Sequence, residues 1–189
     1  MSDRLTQELQ RGGPIQVFYS GNNKSFPTIS HAKGLYMWDT NNKKYFDASS
    51  GPVATNLGHG NRNVLEVMKS QSEKVCFASY SVFKNEPNKA LAENLVKLAG
   101  PNYDQAFIVS GGSEAIEAAF KLARQYAEAI GQPKRSKILS RSASYHGSTL
   151  GAFAASGDPQ TEKMFSSMAK LMPKVMTPFS YRLPNNHDV

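Results

Sequence analysis

The sequence lacks several features that would point to a secreted or membrane protein. Cys76 is the only cysteine, so the chain cannot form an internal disulfide, which is typical of a reducing compartment. No apolar run approaches the roughly 20 residues that a membrane-spanning helix needs. Residues 1–5 are polar and do not resemble the apolar segment of a signal peptide. We therefore expect a cytoplasmic protein.

The excess of positive charge is moderate and dispersed. The formal net charge is +7, which makes a nucleic-acid ligand worth considering. The basic residues are scattered, however, and their densest cluster, residues 134–137, follows a predicted helix end, where cations suit the helix dipole. We expect a solvated surface with some attraction for anionic small molecules, and neither a nucleic-acid nor a membrane partner.

A strand–turn–helix pattern over residues 105–130 organises the chain. Residues 105–109 are an apolar run that predicts a buried strand. Residues 110–113 predict a tight turn, and Glu114 begins a long helical pattern that Gly131 should end in the left-handed conformation. One face of this helix is apolar and is predicted to be buried through Ala115, Ala119, Leu122 and Tyr126, with Ile116, Phe120 and Ala123 widening the stripe.

The turn before this helix is suited to binding a phosphate group. The first amides of a helix have no internal partner, and the helix dipole places partial positive charge there. Gly111 and Gly112 lack a Cβ, so an anion can approach the backbone, and the Ser113 hydroxyl can cap the helix or donate to an oxygen. The turn matches neither the dinucleotide fingerprint nor the P-loop motif. A plain glycine turn with a serine N-cap and no ligand is the open alternative.

A second strand candidate, residues 137–140, precedes the loop 144–147, which leads into a predicted short helix of small residues at 148–155. The order strand, helix, strand predicts parallel strands joined by a right-handed crossover. Residues 110–113 and 144–147 would then lie at one sheet edge, where ligands gather. One loop could hold a phosphate while Tyr145 covers an aromatic ring. The alternatives are a partly buried packing role for Tyr145 and a surface or hydrogen-bonded role for His146.

The first half of the chain predicts a hairpin and two helices. Residues 34–48 carry two aromatic-rich strand candidates around a turn that tolerates positive φ. Either Asn61 or Asn63 should cap the first helix. Residues 86–99 predict the second helix, whose buried face would consist of Leu91, Leu95 and Leu98.

Three other segments give weaker signals. Residues 1–30 contain few periodic patterns and are predicted to form an arm. Residues 49–60 are predicted to form a long irregular link, which is either a binding loop or a plain crossover. Within that link, a lone histidine such as His59 is more often a hydrogen-bonded turn residue than a catalyst. Beyond residue 157 the pattern fades towards a loop-like tail.

Together these motifs resemble the class III aminotransferases. The resemblance covers residues 34–157 in order and spacing. The motifs that carry it are Ser110-Gly111-Gly112-Ser113-Glu114-Ala115, Lys121-Leu122-Ala123-Arg124 and Tyr145-His146-Gly147, which are specific together although each is weak alone. Upstream, the resemblance continues through the hairpin at Tyr36-Met37-Trp38-Asp39 and the loop at Asn56-Leu57-Gly58-His59.

That family uses pyridoxal 5′-phosphate on a fold-type-I scaffold. The resemblance therefore implies an α/β fold that is the first part of a fold-type-I transferase. Residues 1–50 would form an N-terminal arm and hairpin belonging to the small domain. Residues 51–189 would form an incomplete parallel-sheet large domain with flanking helices.

The resemblance also implies that particular residues bind the cofactor. In the turn, amides and a hydroxyl would bind the phosphate, with the first glycine giving room. Tyr145 would stack on the pyridine ring, with the histidine beside it and the following glycine allowing close approach. The implied cofactor-binding residues are Gly111, Gly112, Ser113, Tyr145, His146 and Gly147.

Three further residues would border the substrate pocket, namely Val53, Ser79 and Tyr80. Val53 follows Gly51-Pro52, where several amine transaminases of the family carry an aromatic residue. This difference argues against an aryl-amine substrate. No metal site is predicted.

The resemblance places the catalytic lysine outside these residues. The Schiff-base lysine and the aspartate that pairs with the pyridine nitrogen are expected beyond Val189, so no catalytic residue is predicted in this chain. A longer, homodimeric enzyme would move an amino group from an amino acid or amine to a 2-oxo acid or aldehyde. The alternatives are another class III reaction (aminomutase, racemase or decarboxylase) and a non-catalytic module that binds pyridoxal phosphate, another anion or a partner chain.

Overall fold

The computed structural model describes residues 26–179 and residue 181, which divide into two units. The first unit ends at Ser81 and the second begins at Val82. Most of the predicted arm, residues 1–25, lies outside the described residues, and the predicted domain boundary after residue 50 stays a prediction. Among the helices in the described ranges, none combines the length and the apolar character needed to cross a membrane.

The first unit contains a three-stranded antiparallel sheet made of β1 (Ile29–Lys33), β2 (Tyr36–Asp39) and β3 (Lys44–Phe46). The β2–β3 pair confirms the predicted hairpin. In its turn, Asn42 has φ +62°, a left-handed conformation that asparagine tolerates. β1 was not predicted, because its sequence shows no apolar–polar alternation and only its pairing with β2 defines it.

The buried carboxylate of Asp39 organises the hairpin turn. It accepts hydrogen bonds from the backbone N–H of Asn41 and of Lys43, both at 2.9 Å, and from the Tyr45 hydroxyl at 2.8 Å. These bonds, chiefly the one from the Lys43 amide, hold the pKa of Asp39 below its usual range. The ionised side chain therefore accepts hydrogen bonds from two turn amides, those of Asn41 and Lys43, that do not pair within the sheet.

Two helices follow the sheet, α1 (Ser50–Val53) and α2 (Arg62–Lys74). The N-cap of α2 is Asn61, one of the two predicted caps, and its side chain accepts from the Val64 amide at 3.3 Å. Residues 77–84 are irregular, as predicted.

The second unit contains four helices and two short strands within the described residues. In chain order they are α3 (Glu86–Ala99), α4 (Gly112–Ala129), β4 (Ser140–Arg141), α5 (Leu150–Ala155), α6 (Pro159–Phe165) and β5 (Lys174–Val175). The bounds of α3 agree with the prediction. The predicted C-terminal glycine of α4 is confirmed, because Gly131 has φ +70° and donates to the Glu128 carbonyl at 3.0 Å. Gln132 donates to the Ala127 carbonyl at 2.8 Å, which completes a Schellman motif.

The predicted strand at residues 105–109 is wrong. These residues form no strand, and the parallel pair in this unit joins β4 to β5, with Ser140 opposite Lys174. A parallel pair was expected, but its second strand lies in the tail that was predicted to be loop-like. An apolar run favours an extended conformation, whereas a strand also needs a neighbour for its backbone hydrogen bonds, which the local sequence does not identify.

The predicted buried faces of α3 and α4 are also largely wrong. Leu98 is 84% exposed on α3, and Leu122 and Tyr126 are 66% and 60% exposed on α4. The partly covered side of α4 is the neighbouring one, which includes Ile116 and Phe120 of the predicted stripe. Periodicity identifies an apolar face, but burial depends on a packing partner, and the start of α5 contacts α4 at Ser113 and Glu117.

Small side chains around α5 form the core of the second unit. Ala152, Ala154 and Ala155 are buried, with Ala152 fully so. The Lys174 Nζ donates to the Ala154 carbonyl at 2.9 Å and to the Ser140 Oγ at 3.1 Å. These bonds hold α5 against the strand pair β4–β5, and the loop between β4 and α5 is therefore held at both ends.

Replacing Gly131 tests the left-handed end of α4. Gly131→Ala should lower the free energy of unfolding by about 1 kcal/mol, because a Cβ is crowded at positive φ. Gly131→Asn is the matched control and should lose much less, since asparagine tolerates this conformation. Urea unfolding of both variants measures the difference. Equal losses for alanine and asparagine would contradict the left-handed assignment.

Candidate functional site

The turn that opens α4 is exposed at its glycines. Gly111 is the N-cap, and no side chain caps the first turn within the described residues. In that part of the chain, a Cβ built on Gly111 or Gly112 would meet no heavy atom within 4 Å. The Ser110 amide donates to Glu114 Oε2 at 2.8 Å, which holds the turn from its outer side. The serine N-cap that the sequence left open as an alternative is not formed, because Ser113 lies inside the helix.

The loop that follows β4 contacts this turn at a glycine. Gly147 is buried, and its φ of +139° is one that L side chains rarely adopt. A Cβ built there would lie 2.5 Å from Ser113 Oγ and 2.9 Å from Ser113 Cα. Ser113 Oγ accepts a hydrogen bond from the Ser148 backbone N–H at 2.9 Å. The structure therefore brings together the two loops that the sequence predicted to meet.

Tyr145 lies on the exposed side of the same loop. Its side chain is 77% exposed, so the packing role left open by the sequence is wrong. The Tyr145 hydroxyl lies 3.0 Å from Ser148 Oγ. Ser148 thus contacts the tyrosine through its hydroxyl and the turn through its amide. The His146 amide donates to the buried Ser156 Oγ at 2.9 Å, which anchors the loop on α5.

A second contact between the loop and α4 was missed by the sequence analysis. The Thr149 hydroxyl donates to Glu117 Oε1 at 2.7 Å. Thr149 is also the N-cap of α5, and its Oγ1 accepts from the Ala152 amide at 3.4 Å. Two signals were present: a threonine directly before the apolar run of α5, and a glutamate four residues after Ser113 on the same helix face.

The predicted substrate-pocket residues belong to the first unit. Val53 is exposed at φ +63°, which is unusual for a β-branched residue. Ser79 Oγ lies 2.8 Å from Ser81 Oγ, and Tyr80 is exposed. Their role at the border of a substrate pocket stays a prediction.

The carboxylate of Asp47 holds the segment that contains α1 and Val53. Asp47 accepts from the Ser50 amide and from His59 Nε2, both at 2.9 Å, and from Thr55 Oγ1 at 3.4 Å. The bond from His59 is the main reason that the pKa of Asp47 lies below its usual range. The expectation that His59 is hydrogen-bonded is confirmed, although its backbone pairs with Gly34 in an isolated bridge and does not form a turn.

Comparison with known proteins identifies the fold and the family. The chain shares its fold with an ω-transaminase from Pseudomonas jessenii, whose structure was solved in complex with PMP (pyridoxamine phosphate). The TM-score is 0.83 at 25% identity, over 94% of this chain and 40% of that one. The fold is therefore the first part of a fold-type-I transaminase, as predicted.

Sequence relatives agree with this fold. The chain is 43% identical over 164 residues to the uncharacterized aminotransferase YodT of Bacillus subtilis, which covers 87% of this chain and 36% of that protein. It is 35% identical over 144 residues to an acetylornithine aminotransferase of Wolinella succinogenes, over 75% of this chain and 36% of that protein. The chain thus spans less than two fifths of the length of these relatives.

Residues 18–189 match the sequence model of the family Aminotransferase class-III. The chain belongs to this family, which consists of enzymes that work with pyridoxal 5′-phosphate. The predicted family, fold, enzyme class and cofactor are thereby confirmed.

Acid should weaken the first unit through Asp47. Because its folded-state pKa is below the ordinary value of about 3.9, its bonds contribute stability that is complete above that value and is lost as the pH falls through the folded-state pKa. Asp47→Asn should therefore be less stable than wild type near neutral pH, with the difference shrinking below about pH 4. Thermal unfolding followed by the fluorescence of Trp38, the only tryptophan, reports on this unit.

Asp104→Asn, in the second unit, is the control and should not change the pH dependence of the Trp38 signal. A difference between wild type and Asp47→Asn that is the same at all pH values would contradict the ionised hydrogen-bonded state of Asp47.

Proposed function

We propose that this chain supplies the phosphate-binding turn and the ring-stacking tyrosine of a pyridoxal-phosphate-dependent aminotransferase. The whole enzyme would move an amino group from an amino acid or amine to a 2-oxo acid or aldehyde. The observation that carries the proposal is the position of Ser148, which contacts Ser113 through its amide and Tyr145 through its hydroxyl. Ser148 would thereby set the distance between the cofactor's phosphate, at the start of α4, and its pyridine ring, at Tyr145.

The phosphate end of the proposed site consists of backbone amides and one hydroxyl. The amides of Gly112 and Ser113 lie in the first turn of α4, where a helix has no carbonyl to offer them. The open space beside Gly111 and Gly112 fits a group that approaches the backbone closely. Ser113 Oγ accepts from Ser148, so its hydrogen can be directed towards a phosphate oxygen. A net charge of +7 also favours an anionic ligand.

The ring end of the proposed site is the exposed face of Tyr145. An aromatic side chain stabilises a bound pyridine ring by stacking, and the contact with Ser148 restricts how the tyrosine turns. Gly147 lets the loop approach α4, and the hydrogen bond from the His146 amide to Ser156 Oγ holds the loop against the end of α5. When bound, pyridoxal phosphate supplies the electron sink for bond breaking at the substrate Cα. The residues of this chain would bind and orient it.

The substrates and the assembly belong to the same proposal. Val53, Ser79 and Tyr80 would border the pocket of a cytoplasmic homodimeric enzyme. A valine in place of an aromatic residue favours amino acids and aliphatic amines over aryl amines as donors, because it offers no ring for an aryl group to stack on. The acceptor would be a 2-oxo acid or an aldehyde.

Binding of pyridoxamine phosphate, abbreviated PMP, tests the site. PMP has no aldehyde and so does not label surface lysines. Tyr145→Ala should weaken PMP binding about three- to tenfold through lost stacking, while the affinity for inorganic phosphate stays unchanged. Tyr145→Phe should keep most of the PMP affinity. Isothermal titration of the 189-residue chain measures both ligands.

Tyr126→Ala is the matched control, since it removes another exposed tyrosine from the same unit and alanine suits a helix interior. A wild-type chain that binds neither ligand, or an equal effect of Tyr126→Ala and Tyr145→Ala, would contradict the proposed site.

The 189-residue chain by itself should not catalyse transamination. Turnover needs a lysine amine that holds the cofactor and moves the proton at the substrate Cα, and none of the lysines here lies in the family's motif. Conversion of pyridoxal phosphate to PMP with amino-acid donors can be followed by absorbance against the free cofactor alone. A rate above that background, with a modified lysine found by mass spectrometry, would contradict this expectation.

A further inference from the structure

We propose that Glu117 is a positioning residue for the cofactor site, because it holds the loop that carries Tyr145 through the hydroxyl of Thr149. The inference rests on the proposed function and adds a residue from the second turn of α4, outside the family motifs from which the site was predicted. Glu117 would touch neither cofactor nor substrate.

The geometry consists of two matched contacts between α4 and the loop. Ser113 and Glu117 are four residues apart and so lie on one face of α4. They accept hydrogen bonds from consecutive loop residues: Ser113 Oγ from the Ser148 amide at 2.9 Å, and Glu117 Oε1 from the Thr149 hydroxyl at 2.7 Å. The loop is therefore fastened at two points one helical turn apart.

Two glycines allow this close approach. Gly147 packs against Ser113, as described above, and Gly151 packs against the carboxylate of Glu117. A Cβ built on Gly151 would lie 2.5 Å from Glu117 Oε1 and 2.6 Å from Oε2. The spacing of the glycines, four residues, equals the spacing of their partners on α4. The half-buried Glu117 carboxylate thus lies against backbone as well as against Thr149.

The chemistry of the pair fixes the direction of each hydrogen bond. An ionised carboxylate only accepts, so the Thr149 hydroxyl must donate to Glu117. The lone pairs of Thr149 Oγ1 then face the Ala152 amide, which lies in the first turn of α5 and donates to Oγ1 at 3.4 Å. Glu117 thereby orients Thr149, the N-cap of α5. Thr149 directly follows Ser148, whose hydroxyl contacts Tyr145.

Loss of Glu117 should affect the two ends of the site unequally. The amides of Gly112 and Ser113 belong to α4 itself and keep their positions. The loop would lose one of its two hydrogen bonds to α4, and with it part of what holds Tyr145 in a fixed orientation. Ring binding should therefore weaken more than phosphate binding, which is a difference that a general loss of stability does not produce.

The experiment compares PMP and inorganic phosphate binding to the 189-residue chain by calorimetric titration. Glu117→Ala should weaken PMP binding about tenfold, as expected for a lost hydrogen bond to a charged group, with little change for phosphate. Glu117→Gln keeps a carbonyl oxygen at the same place and should restore most of the PMP affinity. Glu128→Ala removes an exposed glutamate from the last turn of α4 and is the matched control.

Hydrogen exchange at the Ser148 and Ala152 amides gives a second readout without ligand. Exchange should become faster in Glu117→Ala but not in Glu117→Gln or Glu128→Ala. Unchanged exchange and an unchanged ratio of PMP to phosphate affinity in Glu117→Ala would overturn the inference, and so would an equal loss for both ligands. A wild-type chain that binds neither ligand contradicts the proposed function instead, and the exchange rates then decide whether Glu117 holds the loop.

Discussion

The second unit depends on one close approach, in which Gly147 lies against Ser113 and the next amide donates to the Ser113 hydroxyl. The approach is possible only because Gly147 has no side chain, since a Cβ would lie 2.5 Å from Ser113 Oγ. It brings the N-terminal turn of α4 close to the loop that carries the exposed Tyr145. The small residues of α5 and the amide of His146 hold the loop in that place.

Local features were predictable from the sequence, whereas features that need a distant partner were not. The hairpin, the cap at Asn61 and the left-handed Gly131 follow from side-chain chemistry within a few residues. The strand at residues 105–109 and the buried faces of α3 and α4 were predicted wrongly, because pairing and burial depend on surfaces far away in sequence. The pairing of β4 with Lys174–Val175 has no local signal for the same reason.

The same division holds within the candidate site. Its glycines and its tyrosine could be found because the family motifs mark them. Ser148 and Glu117 were missed, since a serine and a helical glutamate are ordinary surface residues until the fold supplies their partners. Under the proposed function, the described residues would hold a phosphate and a ring, and turnover would need the lysine and the aspartate that the family resemblance places beyond Val189.

The most direct measurement is an NMR titration of the isotopically labelled chain, first with inorganic phosphate and then with PMP. We expect phosphate to shift the amide resonances of Gly111, Gly112 and Ser113, and PMP to shift those of Tyr145 and Ser148 in addition. Shifts that avoid the start of α4, or a phosphate response without any further response of the tyrosine loop to PMP, would contradict a single site built from the two loops.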